Sequence, residues 1–117
     1  MKEIEFVNEA ARREFADLPR KIRERFSLDM AALAKGLRPF SETTNLKESV
    51  GAGAIELKKN GRPAYRLVYC DKENTIFILS AFTKTTNGVD RPAMKTAESR
   101  YDKMVALIEE RKRKGSR

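Results

Sequence analysis

The stretch GAIELKKNGRPAYRLVYCDKENTIFILSAFTKTT, residues 53–86, decides the fold. It holds three runs with strand character, residues 54–58, 64–70 and 75–83. Turn-forming residues separate them, Asn60-Gly61 first and then Asp71-Lys72-Glu73-Asn74. The reading is a three-stranded meander punctuated by Lys58, Lys59, Arg62, Arg66 and Lys84, a cationic site on strands. Asn60-Gly61 is the strongest short-range hairpin signal, because both residues accept the positive φ of a tight primed turn. With a two-residue turn, Lys59 lies opposite Arg62, and alternation puts Lys59, Arg62 and Arg66 on one face. Pro63 works against that register, since it lacks a ladder donor and favours a longer loop. Residues 76–82 are nearly continuous apolar, the pattern of a strand covered on both faces. Whether Lys84 shares a face with Arg66 depends on the four-residue loop expected at 71–74, because one residue of slip reverses the answer.

Outward from this stretch the chain reads as helices. Residues 2–6 alternate with period two and predict a short edge strand. Asn8 is an N-cap, and Ala11, Phe15 and Leu18 recur at helical spacing, so a helix is expected over 8–17. Pro19 ends it and opens a second helix over 20–35, striped by Ile22, Phe26, Met30 and Leu33 and closed by Gly36. The charged run at 20–25 reads as the wet face of this helix pair. Residues 37–52 read as a loop, in which Pro39 and Phe40 either pin the chain to the core or line a groove. After Asn87-Gly88, Asp90 caps a last helix with Pro92 in its first turn, and Met94, Ala97, Tyr101, Met104, Val105 and Ile108 form its buried stripe. The basic end at 111–114, followed by Gly-Ser-Arg, is expected to fray.

Composition bounds the function. A chain of 117 residues with 40% apolar and 36% charged residues makes one compact domain with a modest core and a heavily solvated surface. A net charge of +8 fits a polyanionic partner. The first 50 residues hold ten Lys/Arg against nine Asp/Glu, residues 51–89 six against three, and residues 90–117 nine against five, so the strands and the last helix carry the field. Cys70 is the sole cysteine and there is no histidine, which excludes an internal disulfide, a histidine-based triad and the usual zinc ligand sets. Gly51-Ala-Gly53 lacks the following Lys-Ser/Thr of a phosphate-binding loop. No leader or membrane-length apolar run is visible, so a cytoplasmic protein without membrane association is the expectation.

One reaction suits Lys, Arg and Tyr alone: cleavage of RNA by its own 2′-hydroxyl. The substrate supplies the nucleophile, leaving the protein to position it, move protons and stabilise charge. Arginine offers a fixed fork for the phosphate, and a lysine crowded by other cations can be deprotonated near neutrality. Tyr65 or Tyr69 is a candidate for stacking on a base. Lys58, Lys59 and Arg62 flank a turn, where charges are ordinary solvated decoration. Lys84 at a strand end equally fits a snorkelling side chain. Arg66 is different: it sits mid-strand within Tyr65-Arg66-Leu67-Val68-Tyr69, where a charge needs a job or a partner, and Glu56 on the neighbouring strand is the competing partner.

The order of these pieces resembles the RelE/ParE toxin superfamily, and within it the phage-derived, HigB-like branch. The resemblance covers residues 5–105 and is carried most specifically by residues 61–69 and by Phe82-Thr83-Lys84-Thr85-Thr86. It implies an α+β fold, with an antiparallel sheet of about four strands, an N-terminal helix pair and a C-terminal helix. It further implies the toxin of a type II toxin–antitoxin pair: a metal-independent endoribonuclease, or mRNA interferase, acting on mRNA at the ribosome and needing no cofactor. The implied partner is an antitoxin of helix-turn-helix type. The family's strand arginine falls on Arg66, the preceding basic residues on Lys58, Lys59 or Arg62, and the basic pair closing the last strand on Lys84 and Thr85. Arg66, Lys84 and Arg62 are thus the catalytic candidates, with Lys58, Lys59, Tyr65, Thr85 and Thr86 as RNA-binding candidates. The chain departs from the branch at Thr85, where a second lysine is common, and it lacks both the catalytic histidine of some relatives and a tyrosine directly after the last strand; Tyr101 lies too deep in the helix pattern to replace it. The rival readings are a ParE-like toxin that blocks DNA gyrase and a non-catalytic nucleic-acid-binding phage relative.

Overall fold

The computed structural model describes residues 1–115. The elements run β1 (Glu3–Phe6), α1 (Glu9–Ala16), α2 (Arg20–Ala34), β2 (Glu42–Asn45), β3 (Ala54–Lys59), β4 (Ala64–Lys72), β5 (Thr75–Lys84) and α3 (Arg91–Gly115). They form one five-stranded sheet in the order β1-β5-β4-β3-β2. β1 lies parallel to β5, and the other neighbours are antiparallel. The sheet is therefore mixed and one strand larger than expected. The added strand is β2, inside the segment read as loop. Its Glu-Thr-Thr-Asn sequence shows no apolar alternation, because a short polar edge strand buries almost nothing and discourages further pairing.

The meander is present, but its two turns exchange character. Glu73 and Asn74 both take positive φ, 54° and 59°, and close β4 to β5 as a two-residue turn, so Asp71 and Lys72 lie in the strand. Residues 60–63 form the longer connection, and Lys59 faces Tyr65 instead of Arg62. Pro63, without an N–H to give the ladder, stops pairing at Ala64.

The central strands are covered on both faces. On one, α2 lays Phe26 and Met30 over Leu57, Leu67, Ile76 and Ile78. On the other, Ala97 and Met104 of α3 meet Val68, Cys70, Phe77 and Leu79. Asn8 caps α1 by accepting from the Ala11 N–H at 2.9 Å. Asp90 caps α3 through the Ala93 N–H at 3.1 Å. Gly36, at φ 78°, closes α2. β1 pairs only with Thr75–Ile78 of β5, and beyond it Glu14 of α1 takes the vacant place, accepting from the Ala81 N–H at 3.2 Å. Arg100 of α3 completes this cover, donating at 2.7 Å to both Glu14 oxygens and at 3.0 Å to the Leu79 carbonyl.

Two expectations for α3 change. Val105 is 38% exposed, outside the buried stripe. The basic end stays helical through Gly115, with Arg111 bonded to Glu5 at 2.6 Å and Lys112 paired with Glu73 at 2.9 Å. Ser116 and Arg117, also expected to fray, lie outside the described residues. No described helix is long and apolar enough to cross a membrane.

Candidate nucleic-acid interface

The ladders put the cations together. Arg66 of β4 is the cross-strand partner of Lys58 on β3 and of Phe82 on β5, and Ala64 is that of Lys84. Directly opposed residues share a face, as do residues two apart along a strand. Glu56, Lys58, Arg66 and Lys84 therefore all stand on the α3 side of the sheet. There they line a cleft of about 310 Å³ together with Val89 and Asp90, just before α3, and Met94 in its first turn. The α3-side core thins out here, with Leu46, Phe82 and Met94 as its last members along the cleft, and the end of the sheet holds charged groups where its middle holds Val68 and Leu79.

Arg66 is 7% exposed and held in place. Its Nη1 donates to the Tyr65 carbonyl at 3.0 Å, and its Nε lies 3.6 Å from Glu56 Oε1. That separation is an ion pair and too long for a hydrogen bond. Both partners named by the sequence for Arg66, a ligand and Glu56, thus remain compatible: Nη2 makes no hydrogen bond among the described residues. Burial pushes the Glu56 carboxyl above the usual carboxylate range, while the charges of Arg66, Lys58 and Lys84 pull it back and Asp90 adds to the rise. Such a carboxylate, beside three cations and facing a cleft, is suited to exchanging a proton with a bound ligand.

Lys84 is fixed by donating from Nζ to the Thr86 carbonyl at 2.7 Å. It also lines a second, adjoining cleft of about 620 Å³ with Arg62, Thr85 and Thr86. The structure thus brings Arg66, Lys84 and Lys58 into one cleft and sets Arg62, Thr85 and Thr86 next to it. Lys59 and Tyr65 fall on the opposite face, one residue out of phase with Lys58 and Arg66. Tyr65 packs against the α2-side core. Tyr69 is buried in that same core with its hydroxyl pushed up to about 12 by desolvation, so neither tyrosine presents a ring to this cleft.

Cys70 is buried and its thiol is pushed up to about 11, which keeps it protonated and inert. Tyr101 bonds the Ala52 carbonyl at 2.7 Å, packs over Gly51 and lies under the Lys72 ammonium at 5.7 Å, a structural task outside the Arg66 cleft. Glu56 is the group the sequence undervalued, seen there only as a partner for Arg66. The signal was present in Glu56-Leu57-Lys58, where strand alternation sets acid and base on one face.

The family model described as "Phage derived protein Gp49-like" matches residues 13–102. No curated protein matches the chain. Among solved structures, the isolated E. coli RelE toxin is similar with a TM-score of 0.53 and 21% identity, covering 81% of this chain and 97% of that one. A chain of the RelBE2 toxin–antitoxin complex from Mycobacterium tuberculosis has a TM-score of 0.48 and 23% identity, covering 73% of this chain and 93% of that one. The RelE match shows a RelE-like fold.

Proposed function

The chain belongs to the phage-derived Gp49-like family, and on that premise we propose that it is the toxin of a type II toxin–antitoxin pair, an endoribonuclease that cuts mRNA on the ribosome. The observation that carries this reading is the convergence of Arg66, Lys58, Lys84 and Glu56 on one cleft. A single cationic patch would suffice for binding; a proton-exchanging carboxylate set among the cations suits transesterification.

In the proposed reaction the Arg66 guanidinium holds the non-bridging oxygens of the scissile phosphate and stabilises the charge that grows on them. Glu56, as carboxylate, takes the proton of the 2′-hydroxyl, and the freed 2′-oxygen attacks phosphorus. The bond from phosphorus to the 5′-oxygen breaks, and Lys84 or Lys58 donates the proton that the leaving oxygen requires. The products are a 2′,3′-cyclic phosphate and a 5′-hydroxyl. Arg62, Thr85 and Thr86 hold the neighbouring backbone in the adjoining cleft. The cognate antitoxin, expected to be a helix-turn-helix protein, silences the chain by covering this face.

Induction in bacteria, with primer extension on cellular mRNA, tests the reading. Growth arrest with new cleavage sites inside coding regions is expected, and Arg66→Ala should abolish both. Arrest with DNA damage and intact mRNA would favour a gyrase poison instead. Equal arrest by both chains with intact mRNA would refute the nuclease.

A further inference from the structure

Phe40 is 76% exposed, and no other aromatic residue among the described residues is as open to solvent. It does not owe this to a loose loop. Asp29 of α2 is fully buried and accepts from the Phe40 N–H at 2.7 Å, the Ser41 N–H at 3.0 Å and the Ser41 hydroxyl at 2.6 Å. Arg25 adds a bond to the same hydroxyl at 3.1 Å. A buried carboxylate satisfied by three donors is a rigid anchor, so the fold holds an apolar ring in water at a fixed place.

That place is beside the candidate interface. Phe40 lies two residues before Glu42, which pairs with Lys58, itself the partner of Arg66. Glu42 is also bonded to Asn60, at 3.1 Å, which ties the start of β2 to the 60–63 turn that borders the second cleft. By sheet geometry Phe40 is about 10 Å from Arg66 across the strands and about 7 Å along them. Arg38 and Arg62 are exposed nearby, and neither forms an ion pair among the described residues. Of the nearest acids, Asp29 is buried by its donors and Glu42 is engaged by Asn60. An aromatic ring among unpaired cations matches a polyanion with stackable faces.

Resting on the RNA reading above, we propose that Phe40 is a stacking platform for an unpaired base of the substrate, a few nucleotides from the scissile phosphate. Arg38 and Arg62 hold the phosphates between the two points. The substrate of this chain is thus a single strand that extends past the cleft and around the end of the sheet, toward the α2–β2 loop.

The chain contains no tryptophan, so Phe40→Trp introduces a single reporter. The probes are RNA oligonucleotides of increasing length with 2′-O-methyl groups throughout, which retain bases and phosphates but cannot be cut. The indole fluorescence of that variant should be quenched once the oligonucleotide is long enough to reach it, while a dinucleotide leaves it unchanged. Phe40→Ala should weaken the long oligonucleotide about 5- to 150-fold, Phe40→Tyr should keep the affinity, and neither should change the melting temperature. Unchanged affinity in Phe40→Ala, or no quenching by an oligonucleotide that binds, overturns the proposal. So does a loss confined to antitoxin binding, which would assign the ring to a protein partner. Failure of the parent chain both to bind any oligonucleotide and to cleave mRNA on the ribosome would remove the RNA reading itself.

Discussion

Lys84 stands on the same face of the sheet as Arg66 because β5 carries one extra residue at the bulge opposite Val68 and Tyr69. Tyr69 pairs with Ile78 and Val68 with Ser80, so Leu79 is inserted between them. An unbroken ladder from Tyr69 would set Ala81 opposite Arg66 and turn Lys84 to the α2 side. The bulge thus assembles the cleft. It also leaves the buried Ser80 hydroxyl without a hydrogen bond among the described residues.

Position along the strand, and not charge alone, should therefore govern activity. Lys84→Ala is expected to lower the cleavage rate about 10²- to 10³-fold. Moving the ammonium one residue back, with Thr83→Lys and Lys84→Thr together, should leave activity as low as in Lys84→Ala. Single-turnover cleavage of ribosome-bound mRNA measures both; recovery in the double variant would break the link between face and function.

Glu56 predicts a pH dependence. In the proposed reaction the carboxylate is the active form, and burial raises its pKa above the ordinary range. Cleavage should therefore fall as pH is lowered through a value above about 4.5, the ordinary carboxyl value. Glu56→Gln should remove that acidic limb and lower the plateau about 10²-fold. A limb that persists in Glu56→Gln would belong to another group.

How much of this was legible in the sequence depends on what each feature is made of. β4, β5 and the helix starts at Asn8 and Asp90 were readable, because apolar runs and capping residues act locally. β2 was not, since its polar sequence becomes a strand only by pairing with β3. The Asn60-Gly61 signal misled because Pro63 two residues on ended the ladder, while Glu73-Asn74 accepted positive φ without a glycine. Arg66 could be singled out from its apolar surroundings. The face of Lys84 could not, because it hangs on a bulge that alternation cannot foresee.

The closure of the β5 edge by Arg100 and Glu14 is also invisible to local pattern, and it makes a stability prediction. Arg100 is 9% exposed and its guanidinium satisfies two Glu14 oxygens and a strand carbonyl. Arg100→Met strands those acceptors and should cost about 2–4 kcal/mol in urea unfolding. Arg100→Lys should recover little, because an ammonium cannot reproduce the fork.

Gly51 is required by packing. A Cβ there would meet the Tyr101 ring at 2.6 Å. Gly51→Ala should cost about 1–3 kcal/mol, and adding Tyr101→Leu should return part of the loss. Additive losses in the double variant would show that the ring is not what excludes the methyl group.

In the proposed reaction the Arg66 cleft lets RNA cut itself through its 2′-hydroxyl. The most direct measurement is the chemistry of the cut ends, on mRNA carrying a single 2′-deoxynucleotide 5′ to the scissile phosphate as control. A 2′,3′-cyclic phosphate and a 5′-hydroxyl, with the deoxy substrate left intact, are the predicted result. A 5′-phosphate product, or undiminished cleavage of the deoxy substrate, would contradict it.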